Sequence, residues 1–234
     1  MCINYTPSRK DQISATFQAI DETGLDWRPE AWQDYDAPFI THDHLRQRRV
    51  HVGKYSMIPK SKMPPGVKRF STMNARAETI DQLRSFAQPW KQHQRCLIPL
   101  QSFFEPNYES GAAERWEIGM QDASDFAVAG LFRSWEEENE QLSFSFTQLT
   151  INADQHPLMR RFHKQGEEKR SLVIIQAEDY QAWLESRDLM LVKKLLRLPD
   201  AERMWAKPAL PSGKKKLIKQ TNDEGKLPEQ FDLF

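Results

Sequence analysis

The sequence predicts an α+β fold, a single domain with a mostly antiparallel, curved β-sheet or barrel-like core flanked by helices. Three observations predict it. Residues 126–135 and 142–152 are rich in Phe, Val, Leu and Thr and flank the acidic run Glu136-Glu137-Glu138-Asn139-Glu140, which is the pattern of a hairpin. Cys96-Leu97-Ile98-Pro99-Leu100, followed by Phe103-Phe104, reads as a buried strand. Apolar residues recur at helical spacing near both ends of the chain, at Ile13, Phe17 and Ile20 and again at Tyr180, Trp183, Leu184, Leu191 and Leu195.

Taken in order, a first helix over residues 8–20 has Ser8 available as its N-cap. Residues 21–65 are punctuated by Pro and Asp, so irregular connections are expected there, with residues 49–58 as the best strand. A helix over 79–92 ends near Trp90, and the strand after it runs out at a turn around Pro106-Asn107, leaving Glu105 at its end. The hairpin follows, then a short apolar run over 172–175 and one or two late helices from Glu178. After Pro208 the composition turns to Pro, Gly, Lys and Gln, including Lys214-Lys215-Lys216, so residues 1–210 read as the domain and 211–234 as a flexible tail.

The 234 residues are 39% hydrophobic and 28% charged, enough for one substantial core and without an apolar span that could cross a bilayer. The start, MCINYTPSRK, lacks the layout of a secretory signal, and Cys2 and Cys96 make no disulfide framework, which points to a reducing cytoplasm. Net charge is zero, yet it is unevenly distributed. From His44 to Arg76 the chain carries Arg46, Arg48, Arg49, Lys54, Lys60, Lys62, Lys68, Arg69 and Arg76 with no Asp or Glu. This run predicts one basic face, with a merely solvated basic loop as the alternative.

Removal of Met1 exposes Cys2 as an N-terminal residue with adjacent amine and thiol. An α-amine has an unperturbed pKa of about 7.7–8.0, so part of it is unprotonated at neutral pH and able to form a Schiff base with an aldehyde. The neighbouring thiol can then close a five-membered thiazolidine, favoured by proximity. Position alone does not select Cys2.

Three further segments accompany Met1-Cys2: Ser71-Thr72-Met73-Asn74-Ala75-Arg76-Ala77-Glu78-Thr79, Leu100-Gln101-Ser102-Phe103-Phe104-Glu105-Pro106, and Met159-Arg160-Arg161-Phe162-His163 followed by Ser171-Leu172-Val173-Ile174-Ile175. In this order the four resemble the SRAP family, the SOS-response-associated peptidases that crosslink abasic DNA, over most of residues 1–210. The resemblance implies an SRAP-like single domain that captures abasic sites in single-stranded DNA through Cys2, with Asn74, Glu105 and His163 as the other catalytic residues. Asn74 would orient the amine or the opened sugar without adding charge. Glu105 would act as acid and base, and His163 as a proton shuttle near neutrality. Arg76 would hold a phosphate, with the remaining cations of the basic run and Arg160 and Arg161 as further DNA contacts, lining a single-strand channel. No cofactor or metal is implied, since His42, His44 and His51 lack supporting Cys or carboxylate ligands. The implied protein is a bacterial, cytoplasmic monomer, nucleoid-associated when on DNA.

The chain departs from the family pattern in three places. Cys2 is followed by Ile3-Asn4-Tyr5 in place of Gly-Arg-Phe, so an early arginine is missing; Lys60-Ser61-Lys62-Met63 stands where the family carries an aromatic wedge; and residues 164–169 lengthen the loop after His163. The final Gln230-Phe231-Asp232-Leu233-Phe234 resembles the peptide by which bacterial repair proteins bind the polymerase sliding clamp, a partner that a flexible tail would serve. Two other functions stay open: an N-terminal-nucleophile peptidase or amidohydrolase using Cys2, and a non-catalytic, clamp-tethered module for single-stranded DNA.

Overall fold

The computed structural model of the chain describes residues 4–209. Its strands are β1 (Asn4–Pro7), β2 (Ala19–Ile20), β3 (Ala31–Trp32), β4 (Asp36–His42), β5 (Arg48–Tyr55), β6 (Asn74–Arg76), β7 (Arg95–Asn107), β8 (Glu114–Met120), β9 (Phe126–Glu136), β10 (Leu142–Asn152), β11 (Arg170–Leu172), β12 (Ile174–Ile175) and β13 (Met204–Pro208). Four short helices accompany them: α1 (Lys10–Phe17), α2 (Arg84–Lys91), α3 (Tyr180–Glu185) and α4 (Leu189–Leu195). Among the described residues no helix is long and apolar enough to cross a membrane.

The pairings β9–β10, β10–β5, β5–β4, β4–β7 and β7–β9 return to their starting strand, so five strands close a barrel. Most pairs are antiparallel, as expected, while β10 runs parallel to β5 and β6, and β2 parallel to β5. Alternation along the strands divides the core in two. Tyr5, Phe39, Tyr55, Ile98, Phe103 and Phe146 fill the inside, and Ile40, Leu97, Leu131 and Leu149 face outward beneath Phe17, Trp90 and Trp183 of the helices. The Trp183 indole N–H donates to the Cys96 carbonyl at 2.8 Å, which fixes α3 on β7. Where β9 crosses β7, a Cβ at position 130 would stand 2.6 Å from Ile98 Cδ1 and 2.8 Å from Cys96 Sγ, so Gly130 permits the close approach.

The hairpin around the acidic turn forms as read. Three local expectations are corrected. Ser8 is buried and its N–H is tied to the Pro99 carbonyl at 3.0 Å, so α1 begins later, behind Arg9, without a side-chain cap. The helix expected over 79–92 is a 3₁₀ turn at Ala77–Thr79 and then α2 from Arg84. β7 does not stop at Phe104: it continues through Pro106 to Asn107 because β8 pairs with its last five residues. Glu105 is therefore inside a paired strand.

Candidate active site

β7 is paired with β1 on one side and β8 on the other at its C-terminal end, and strand alternation puts Glu105 on the same face as Phe103, toward the interior. Glu105 is 2% exposed. Burial pushes its carboxyl up to about 7. His163 arrives from the loop after β10: its N–H donates to the Pro106 carbonyl at 2.9 Å, and Phe162 bridges to Asn107. Its backbone sits in the left-handed region at φ 64°, an uncommon conformation for a non-glycine residue that the two contacts with β7 hold in place. The ring Nε2 lies 3.6 Å from Glu105 Oε2 and 3.4 Å from the Arg170 carbonyl. Burial, with the positive charges of Lys169 and Arg170 behind it, lowers His163 to about 4. Both shifts favour the uncharged forms, so at neutral pH this is a contact between a carboxyl poised to titrate and a neutral imidazole rather than a fixed ion pair.

Asn74 begins β6, in register with Gln148 of β10, and is half-buried. The Gln148 Oε1 accepts from the Tyr55 hydroxyl at 2.8 Å, and both residues are fully buried. Two residues on, Arg76 extends to the exterior and meets Glu168 at 2.6 Å. Glu168 also receives Arg170 at 2.7 Å, and Arg170 in turn holds Glu78 at 2.8 Å. The partner of Arg76, Glu168, comes from the lengthened loop. That loop thus reaches the expected phosphate site.

The basic run does not stay free of acids in space. Arg49 meets Asp43 at 2.8 Å and Glu22 at 3.1 Å, Lys54 meets Asp36 at 2.7 Å, Lys62 meets Glu137 at 2.6 Å and Arg69 meets Asp34 at 2.6 Å. Arg46 lies 3.7 Å from Glu185, while Arg48 donates to the Phe17 carbonyl and covers the Tyr180 ring. Lys60 and Lys68 are exposed, with no ion pair within 4.0 Å among the described residues. Arg160 is exposed too, and Arg161 makes a two-pronged contact with Glu109 at 2.8 and 2.9 Å. Phe70, in the same loop as Lys68 and Arg69, is 44% exposed. An aromatic ring is therefore presented beside the cations, although it is absent from the place after Pro59 where the family pattern puts one.

Cys2 and residues 230–234 lie outside the described residues. In sequence Cys2 is two residues before Asn4, the first residue of β1. Asn4 pairs directly with Phe104, the neighbour of Glu105. Cys96, the other cysteine, is fully buried and burial raises its thiol well above the usual range, so it is no nucleophile. Sequence reading missed Glu30, Trp32, Arg115 and Gln148; each comes from a segment with no motif of its own, and only the strand register brings them here. Among the described residues no three His, Cys, Asp or Glu side chains converge as a metal site.

The family model of the SOS response associated peptidase (SRAP) matches residues 1–210. The abasic site processing protein YobE of Bacillus subtilis is 31% identical over 140 residues, 58% of this chain and 60% of that protein, so the match spans about three fifths of the relative's length. A crystal structure of a protein from Bordetella bronchiseptica is similar with a TM-score of 0.79 at 29% identity, covering 90% of this chain and 100% of the other. A second, from Bacteroides thetaiotaomicron, shares the fold with a TM-score of 0.71 at 22% identity, over 88% and 91% of the two chains.

Proposed function

The chain belongs to the SOS response associated peptidase family, and on that premise we propose that it recognises abasic sites in single-stranded DNA and joins them covalently through Cys2. The buried Glu105–His163 contact carries the reading. It offers a carboxyl that titrates near neutrality, on a strand whose neighbour β1 begins two residues after Cys2.

The free Cys2 amine attacks C1′ of the ring-opened sugar, and a proton passes from nitrogen to the new hydroxyl. Glu105 then protonates that hydroxyl, water leaves, and an iminium remains. The Cys2 thiol adds to the iminium carbon, its proton passing to a base, and a thiazolidine closes with one water lost overall. The neutral His163 imidazole accepts and returns protons beside Glu105. Asn74, held on β6 against Gln148, orients the sugar hydroxyls or the amine. Arg76 receives a phosphate in exchange for Glu168, and Lys60 and Lys68 with Phe70 guide the strand.

Residues 1–210 act as the catalytic unit in this reading. The remainder is a tether whose last five residues, with Phe231, Leu233 and Phe234 as anchors, dock on a sliding clamp. Loss of clamp capture on deleting residues 230–234, with crosslinking intact, is the expected result.

The test of the chemistry is incubation with single-stranded DNA containing one abasic site. A heat-stable, slower band is expected from the processed protein. Equal yield from Cys2→Ala would overturn the thiazolidine.

A further inference from the structure

Strands β3, β1 and β7 form a slot beside Glu105. Trp32 of β3, Asn4 of β1 and Phe104 of β7 stand in one row across three paired strands, so their side chains share a face, with Trp32 and Phe104 two strand spacings apart, roughly 10 Å. The Arg115 guanidinium lies 3.5 Å from the centre of the Phe104 ring. One oxygen of Glu30 accepts from both Arg115, at 2.9 Å, and Asn4 Nδ2, at 3.0 Å, which fixes the guanidinium and the floor together. With Glu105, Pro106, Ala113 and Glu114 these groups line about 240 Å³.

Resting on the abasic-site reading, we propose that this slot binds the nucleobase of the nucleotide next to the lesion. Trp32, Phe104, Pro106 and Ala113 give an apolar and aromatic wall, the one cation is delocalised and planar, and bases stack on both kinds of surface. Glu30 already neutralises Arg115, and Glu105 and Glu114 add carboxyls to the lining, so the slot suits an uncharged planar ring and not a phosphate. The volume holds one base. Because Glu105 itself lines the slot, the base adjoining a lesion held at Glu105 reaches it. The contact gives this chain a grip on DNA at the position where the family's early arginine is replaced by Asn4.

The experiment compares crosslinking rates on three oligonucleotides. Each carries one abasic site, with both neighbouring bases present or with the 5′ or the 3′ neighbour replaced by a stable tetrahydrofuran spacer. The wild-type protein slows roughly tenfold when one particular neighbour loses its base and little when the other does. In Trp32→Ala, and in Ala113→Leu, which fills the slot without removing a wall, the ratio between base and spacer falls to about one. A wild-type rate indifferent to both neighbours, or an Ala113→Leu protein that keeps the full ratio, overturns the slot. If the wild-type protein forms no adduct at all, the abasic-site reading fails, and titration with deoxyadenosine 5′-monophosphate decides the slot alone. A shift of the Trp32 indole resonance that Ala113→Leu abolishes supports it, and no shift overturns it.

Discussion

His163 Nε2 lies 3.6 Å from Glu105 Oε2, and burial moves the two groups in opposite directions on the pH scale, the acid up to about 7 and the base down to about 4. The pair is therefore uncharged over a wide range below neutrality, and Glu105 alone titrates near pH 7. A step that needs Glu105 as an acid slows as pH rises through about 7. Glu105→Gln removes that inflection from the crosslinking rate and slows the reaction by about 10²–10⁴. A single-turnover pH profile measures both.

The same shift has a cost in stability. Glu105 binds its proton more tightly folded than unfolded, so its favourable contribution is full below about pH 4.5, the unfolded value, and declines to nothing as pH passes the folded value near 7. Above that the buried carboxylate is a burden on the order of 3 kcal/mol relative to low pH. Glu105→Gln is thus more stable than wild type at pH 8 and close to it at pH 5. Urea unfolding at the two pH values checks the sign.

Arg76 can receive a phosphate only by releasing Glu168, which comes from the lengthened loop at residues 164–169 and stands 2.6 Å away. Glu168→Gln keeps a hydrogen-bonding side chain and removes the competing charge. Binding to lesion-free single-stranded DNA tightens several-fold, and the salt dependence steepens by about one released counterion. Arg76→Ala does the reverse. Fluorescence anisotropy across a salt series reads both.

The Phe, Val, Leu and Thr content of 126–135 and 142–152 on either side of the acidic turn located β9 and β10 to within a residue, because each strand has a stretch buried on both faces, one toward the barrel interior and one beneath the helices. Pro106 was read as the stop of β7, yet its carbonyl serves His163 and its neighbours pair with β8, a partner that is not visible from β7 alone. Glu105 and His163 were found as motif residues, but their burial and contact come from tertiary closure. The basic run looked like a uniform wall, and Asp34, Asp36, Glu137 and Glu168 reach into it from distant segments.

Phe70 stands 44% exposed between Arg69 and Ser71, in a loop that Arg69 ties to Asp34. An exposed ring among cations is a platform on which a base can stack. Phe70→Ala weakens binding of lesion-free single-stranded DNA by about 1–3 kcal/mol without changing thermal stability, and Phe70→Trp restores it. Unaltered affinity in the alanine variant would remove Phe70 from the DNA path.

Tyr55 and Gln148 test how Asn74 is held. Both are fully buried, the Tyr55 hydroxyl donates to Gln148 Oε1 at 2.8 Å, and Gln148 faces Asn74 across the parallel β10–β6 pair. Tyr55→Phe removes one oxygen and leaves the Gln148 acceptor without that donor inside the barrel, which costs about 1–3 kcal/mol. Tyr55→Phe combined with Gln148→Leu replaces both partners by apolar groups, so most of that loss returns. The two proteins separate stability from positioning. If Gln148 fixes Asn74, the double variant unfolds near the wild-type denaturant midpoint yet crosslinks more slowly, with a pH inflection still near 7 because Glu105 is untouched. Recovery of rate along with stability would make Gln148 a packing residue only.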